Sequence, residues 1–153
     1  MARRLREFII SKGEVSFWLD RNGFWHNENE RFENQRIINH FHSCIRKDDR
    51  GFHLAQRHRD YLEKAFFPYE DTALFVFDVI KGEQIILVLN TQKRVRLRPR
   101  RLFIRTDSLY MQLGEDPIKF TEDSLVKIAE MLEFHEDETF IRVKGRKYRI
   151  LDR

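Results

Sequence analysis

The 153 residues include 41% hydrophobic and 13% aromatic residues, with 14 Phe, which is enough apolar surface to offset ordering entropy and to exclude a disordered tail or linker. The 29 Lys and Arg against 25 Asp and Glu leave a net charge of +4 with both signs mixed, so charge alone names no polyanionic partner. No apolar run approaches the roughly 20 residues of a membrane span, and the single cysteine, Cys44, excludes an intrachain disulfide or a multi-cysteine zinc cluster.

The opening Met1-Ala-Arg-Arg-Leu-Arg-Glu-Phe-Ile-Ile is basic and then apolar, but Ser11, Lys12 and Glu14 cut it short of a signal-peptide core. With one cysteine, this points to a cytoplasmic, reducing setting without a membrane partner. Val15–Leu19 and Phe24–His26 are aromatic stretches around Asp20-Arg21-Asn22-Gly23, and Asn-Gly between such stretches predicts a hairpin. Ile37, Ile38, Phe41 and Ile45 then recur at helical spacing within Glu33–Arg46. On that helix Cys44 reads as a buried, inert thiol. Asp48-Asp49-Arg50-Gly51 is a turn, followed by extended Phe52-His53-Leu54.

In mid-chain, Gln56–Ala65 reads as a short helix or loop, and Phe66-Phe67-Pro68-Tyr69 leads into a sheet. Leu74–Ile80 and Gln84–Leu89, joined by Lys81-Gly82-Glu83, predict a hairpin of two well-buried strands, with Arg94–Arg98 as a third. Beyond residue 101 the early order returns. Phe103–Asp107 and Leu109–Leu113 give two strands, and Thr121-Glu122-Asp123-Ser124 starts a helix with a hydroxyl cap and first-turn acids. Phe140–Val143 and Lys147–Leu151 then flank a turn at Lys144-Gly145-Arg146. Phe32 and Phe120 precede the two helices and Phe52 and Phe140 follow the acidic turns at the same separation, which matches Ile37 with Leu125 and Ile38 with Val126. The expected fold is therefore α+β, with two repeated hairpin-helix-hairpin units, 1–60 and 102–153, flanking central antiparallel strands at 61–101 and packed as one compact body.

The most distinctive charged feature is Arg94-Val95-Arg96-Leu97-Arg98-Pro99-Arg100-Arg101. If it is extended, Arg94, Arg96 and Arg98 project from one face about 7 Å apart and could fork onto the oxygens of an anionic ligand. A charged edge strand guarded by Pro99 and matched to neighbouring acids explains the same residues. Arg142, Lys144, Arg146, Lys147 and Arg149 form a second basic group and Arg3, Arg4 and Arg6 a third. If the three met on one face they would bind nucleic acid, although no recognised nucleic-acid-reading motif accompanies them. Glu70 and Asp71 are the best carboxylate pair, for acid-base work or for binding a cation, and paired acids beside a turn are commonly solvated or matched to Arg. The six histidines lack metal-ligand spacing, no serine sits in a nucleophile elbow, and the glycines are scattered singly. Which cofactor, if any, the chain uses is unknown from these residues.

Asp20-Arg21-Asn22-Gly23-Phe24-Trp25-His26, the Ile37-Ile38 helix, Asp48-Asp49-Arg50-Gly51-Phe52-His53-Leu54 and Tyr69-Glu70-Asp71-Thr72-Ala73-Leu74-Phe75-Val76 together resemble the bacterial proteins of domain of unknown function 1285. The likeness covers residues 15 to 92, and the rest follows in layout. It implies an α+β fold with repeated motifs, no established enzyme activity, and a role in ligand sensing or signal transduction. The family's Glu-Asp-Ala-Pro-Phe segment falls on Glu70, Asp71, Ala73 and Phe75, with Thr72 inserted and the proline missing. Asn90 with Thr91 is similar to the family's Thr-Asn ending of the second strand, in reversed order. The sequence thus leads to a non-catalytic ligand-binding or regulatory module for a small anionic ligand, using Arg94, Arg96 and Arg98 opposite Glu70 and Asp71, with Asn90 beside them. A nucleic-acid-binding protein is the alternative, and an enzyme using the carboxylate pair is a third reading.

Overall fold

In the computed structural model, which describes residues 5–153, the chain divides into two compact units, Met1–Ala73 and Leu74–Arg153. The first unit begins with strand β1 (Arg6–Ile10), followed by a three-stranded antiparallel meander of β2 (Phe17–Leu19), β3 (Trp25–Asn27) and β4 (Glu30–Arg31). The β2–β3 turn forms where Asn-Gly predicts it. Asp20 Oδ1 accepts from the N–H groups of Asn22 and Phe24 at 2.8 and 2.9 Å, and Gly23 takes a φ of 87° that a side chain would resist.

Helix α1 (Gln35–Ser43) starts at Asn34, whose side chain accepts from the Ile37 N–H at 3.1 Å. It is shorter than the expected Glu33–Arg46. The Cys44 carbonyl accepts from Ala55 N–H at 2.8 Å and Ile45 pairs with Leu54, so a strand pairing captures the segment that helical spacing would have continued. The helix buries His42 and leaves Ile37 47% exposed.

After α1 come β5 (Ile45–Asp48), β6 (Gly51–Arg57) and β7 (Tyr61–Phe66), another antiparallel meander, and β1 joins β7 in parallel to give the order β1-β7-β6-β5. Residues 56–65, expected as a helix or loop, are therefore the end of β6, a turn and most of β7. The hydrogen-bonding partner that makes β7 a strand on its second side is β1, more than fifty residues earlier, which local periodicity does not reveal. The core of this unit is aromatic. Trp25 and Phe67, at 1% and 0% exposure, meet edge to face with centroids 4.9 Å apart, and Phe41 approaches Trp25 at 5.3 Å.

The second unit holds one nine-stranded mixed sheet. Its strands are β8 (Phe75–Ile80), β9 (Ile86–Leu89), β10 (Arg94–Arg96), β11 (Leu102–Arg105), β12 (Ser108–Leu113), β13 (Asp116–Phe120), β14 (Leu132–His135), β15 (Glu138–Val143) and β16 (Arg146–Asp152), with helix α2 (Glu122–Ile128) and a 3-10 turn at Ala129–Met131 between β13 and β14. Their order is β10-β9-β8-β13-β12-β11-β16-β15-β14, with β13 parallel to β8 and β11 parallel to β16. Of the segment expected as central strands, Tyr61–Phe66 thus lies in the first unit's sheet, while β8 to β10 form one end of the second unit's sheet. Strands dominate the architecture, and two α-helices are present among the described residues. In the first unit the meander β2-β3-β4 precedes the helix and β5-β6-β7 follows it, whereas in the second unit both β8-β9-β10 and β11-β12-β13 precede the helix and β14-β15-β16 follows it.

Helix α2 is capped as its sequence predicts. Thr121 Oγ1 accepts from Ser124 N–H at 3.2 Å while donating to the Val76 carbonyl at 3.1 Å, so the cap also fastens the helix to β8. Val76, Leu87, Met111, Ile118 and Ile141 of the sheet and Ile128 of α2 are wholly buried in one core cluster.

Candidate anion-binding site in the second unit

The arginine run begins as the expected edge strand. Among the described residues β10 pairs only with β9, Arg94 with Val88 and Arg96 with Ile86, and the ladder extends one step through the Leu97 N–H to the Ile85 carbonyl at 2.8 Å. Arg94, Arg96 and Arg98 are exposed, Val95 is half-buried and Leu97 is 5% exposed, the alternation a strand imposes. The strand ends at Arg96, short of the expected Arg98, and Pro99, which has no N–H to continue a ladder, opens a 3-10 turn at Pro99–Arg101.

The three arginines nevertheless meet different surroundings. Arg94 stands across β9 from Asp78, since both pair with Val88. Asp78 is held below the ordinary carboxylate value chiefly by its bond from Lys127, then by the Val79 N–H, with Lys127 and Arg94 adding electrostatic attraction. Arg98 exposes its side chain at the head of the 3-10 turn while its N–H points to Met111 Sδ at 3.4 Å. Arg96 alone lines a cleft of about 450 Å³, which it shares with Gly82, Glu83, Gln84, Ile85, Leu97, Pro99, Met131, Val143, Lys144, Arg146 and Tyr148.

Three segments build this cleft. The β8–β9 loop supplies Gly82–Ile85 and is tied to the 3-10 turn after α2 by an ion pair between Lys81 and Glu130. Met131 lies at the end of that turn. The β15–β16 turn supplies Lys144 and Arg146, and its two-residue tip demands left-handed backbone, with φ of 52° at Lys144 and 75° at Gly145. Arg142 braces the tip by donating to the Gly145 carbonyl at 3.3 Å. Tyr148 holds the guanidinium groups of Arg100 and Arg146 at 5.3 and 5.8 Å from its ring centre, within reach of a cation–π attraction. Arg96, Lys144 and Arg146 make no ion pair among the described residues, and Glu83 is the one carboxylate on the lining. The result is a positive rim over a wall of Ile85, Leu97, Met131 and Val143.

The other expected site residues lie elsewhere. Glu70 and Asp71 belong to the first unit, where Glu70 accepts from Arg21 Nη2 at 3.0 Å and its N–H donates to the Leu19 carbonyl at 3.0 Å. Asn90 is 4% exposed, and its side-chain oxygen accepts from the Phe75 N–H at 3.0 Å while its own N–H donates to the Phe75 carbonyl at 2.9 Å. It thereby locks the beginning of β8 to the end of β9. Of the second basic group, Arg142 pairs with Glu133 at 3.3 Å and Arg149 with Glu138 at 3.2 Å, and Lys147 lies over Phe140, 4.2 Å from the ring centre. Of the third, Arg3 and Arg4 fall outside the described residues, and Arg6 begins β1 in the first unit.

The first unit has its own open depression of about 550 Å³ near the start of α1, lined by Asn27, Asn29, Asn34, Glu28, Glu30, Glu33, Arg31, Phe32, Ile37 and Phe41. Its three carboxylates against one arginine oppose an anion, and that arginine lies over Phe24, 4.4 Å from the ring centre. The same unit also holds a half-buried polar pair. His26 and Asp20 meet at 2.6 Å, with the Trp18 ring stacked on the imidazole at 4.2 Å. Burial pushes the Asp20 carboxyl up, but bonds from His26 and from the N–H groups of Phe24 and Asn22 outweigh it and leave the group below its usual value.

No family profile matches the chain, and no curated protein does. Among solved structures, a DUF1285 family protein from Silicibacter pomeroyi superposes with a TM-score of 0.63 over 95% of this chain and 84% of its own, at 11% identity. A second, from Shewanella baltica, gives 0.52 over 76% of this chain and 91% of its own, at 13% identity. The fold is that of the DUF1285 family. Within the DUF1285-like fold, the segment matched to Glu-Asp-Ala-Pro-Phe is largely a packing element, because Thr72, Ala73 and Phe75 are at 3%, 0% and 0% exposure. The cations of the basic cleft, Arg96, Lys144 and Arg146, by contrast, lie outside the part of the sequence that carries the resemblance, while Gly82–Ile85 of its lining lie within it.

Proposed function

We propose that this protein is a non-catalytic ligand-binding module that captures a small anion in the cleft of its second unit. The observation that carries this reading is the meeting of Arg96, Lys144 and Arg146, from two separate elements, on a cleft with an apolar wall and a single carboxylate. An anion there gains charge-assisted hydrogen bonds from groups that have no competing acid to release. A regulatory role follows if binding between two tied segments stiffens them. The buried thiol of Cys44, 8% exposed, accords with a reducing cytoplasm. Thermal-shift measurements with phosphates, carboxylates and sulfonates at millimolar concentration test the reading. Stabilisation that disappears in Arg96→Gln and Lys144→Gln supports it, and no stabilisation by any anion refutes it.

We further infer that the two units descend from one duplicated meander-helix-meander unit. The helix caps Asn34 and Thr121 and the hairpin pairs Ile45 with Leu54 and Leu132 with Ile141 share a single offset. This offset is one residue shorter than the Phe-to-Phe spacing and matches Ile38 with Leu125 and Phe41 with Ile128. Exposed Val126, at 76%, then corresponds to exposed Asn39 rather than to Ile38. Aligned homologues in which these matched positions vary independently in apolar character would remove the duplication.

Nucleic-acid binding is the weaker reading, since ion pairs with Glu133 and Glu138 already engage Arg142 and Arg149.

A further inference from the structure

The charge, shape and wall of the cleft narrow the class of anion, given the reading that the cleft binds one at all. Three cations against Glu83 leave two net positive charges on the lining. A carboxylate carries one negative charge and two acceptor oxygens, whereas a phosphate monoester carries about 1.5 to 2 charges near neutral pH and three acceptor oxygens. Arg96 reaches the cleft from the sheet edge, and Lys144 and Arg146 from either side of Gly145 at a hairpin tip. Donors arriving from two directions suit a tetrahedral group better than a planar one, and guanidinium forks are matched to phosphate oxygens.

The remainder of the lining decides what the phosphate is attached to. Leu97 is buried, and Ile85, Met131, Val143 and Tyr148 are half-buried. A volume of about 450 Å³ exceeds what a lone phosphate fills and falls within the roughly 300–1,000 Å³ of sites that hold whole small molecules. We propose that the second unit's cleft selects a phosphate monoester with a largely apolar body, which covers the wall of Ile85, Leu97, Met131 and Val143 while its phosphate is gripped by Arg96, Lys144 and Arg146. Tyr148 keeps Arg146 directed at the rim through its ring, so part of the ordering cost of binding is met before the ligand arrives.

Titration calorimetry on the full chain with 1-naphthyl phosphate, inorganic phosphate and 1-naphthoate tests this directly. At pH 7.5 the ester binds at least about tenfold more tightly than either comparison anion, because each lacks one of the two interactions. Its affinity falls roughly threefold by pH 5.5, as the second phosphate proton, with a pKa near 6, returns. Arg96→Gln and Lys144→Gln, exposed substitutions that leave the fold intact by circular dichroism, each weaken the ester by about tenfold. Equal affinity for 1-naphthoate overturns phosphate selection while leaving a general anion site standing, and equal affinity for inorganic phosphate overturns the apolar body. Binding that neither substitution alters overturns the assignment to this cleft, and absence of binding by all three anions overturns the anion-binding reading itself.

Discussion

Acidification from pH 7.5 to 4.5 should weaken the first unit through one histidine. His42 is 2% exposed on α1, and its Nδ1 lies 3.3 Å from the Trp25 indole Nε1, which can only donate. Nδ1 must therefore accept, and a proton placed there would both break that bond and put a charge in an aromatic core. Burial lowers the pKa from 6.5 to about 4. The unfolded chain binds this proton below about pH 6.5 and the folded chain only below about 4, so the contribution is complete above the higher value and is lost as pH falls through the lower one. At about 1.4 kcal/mol per pKa unit the full loss is about 3 kcal/mol. Burial also lowers the pKa of His53, so the decisive quantity is a difference. Urea unfolding of wild type and His42→Gln, followed by tryptophan fluorescence at half-unit pH steps, isolates it. The glutamine retains an acceptor for Trp25 and does not titrate. The wild type should lose about 3 kcal/mol more than the variant between pH 7 and 4. Parallel acid limbs, within about 1 kcal/mol of each other, would show that His42 is not held neutral.

Asn90→Ala leaves the buried Phe75 N–H without its side-chain acceptor and should cost about 1–3 kcal/mol in denaturant unfolding, with little effect on anion binding if Asn90 is only a lock between β8 and β9. Lys64→Met removes the ion pairs to Glu7 at 2.8 Å and Asp48 at 2.9 Å, and amide exchange in β1 should quicken by a factor of about 5, on the order of 1 kcal/mol. Gly145→Ala places a side chain at a φ of 75°, which should cost about 1 kcal/mol in stability. It should also weaken binding of 1-naphthyl phosphate, because Lys144 and Arg146 are aimed by that turn.

Local signals carried those parts of the fold whose hydrogen bonds are local. Asn22-Gly23 made the β2–β3 hairpin, Thr121 made the α2 cap, and the apolar runs around Lys81-Gly82-Glu83 made β8 and β9. What escaped notice was held by distant partners. β7 has β1 beside it, and β13, with Pro117 near its start, is a strand because β12 and β8 flank it. Ile45 continued the helical spacing of Ile37, Ile38 and Phe41, yet its pairing with Leu54 took precedence.

The site was legible in its residue types more than in its grouping. Alternation along Arg94–Arg98 leaves all three arginines exposed, Arg94 and Arg96 on the edge strand and Arg98 just past its end, but spacing along one segment says nothing about what lies across from each. Arg94 faces the Asp78 region and so fits the charged-edge explanation, whereas Arg96, two residues on, reaches the cleft. Its partners come from a hairpin tip some fifty residues later, whose cations stand in the sequence in one basic group with Arg142, Lys147 and Arg149. Strand alternation sorts that group. Arg142 and Arg149 meet acids on neighbouring strands, while Lys144, lifted out of the ladder by its left-handed backbone, and Arg146, beside the Tyr148 ring, remain uncommitted to any carboxylate. Availability of this kind separates a binding arginine from a structural one, and it depends on the identity of the cross-strand neighbour, which only the folded register supplies.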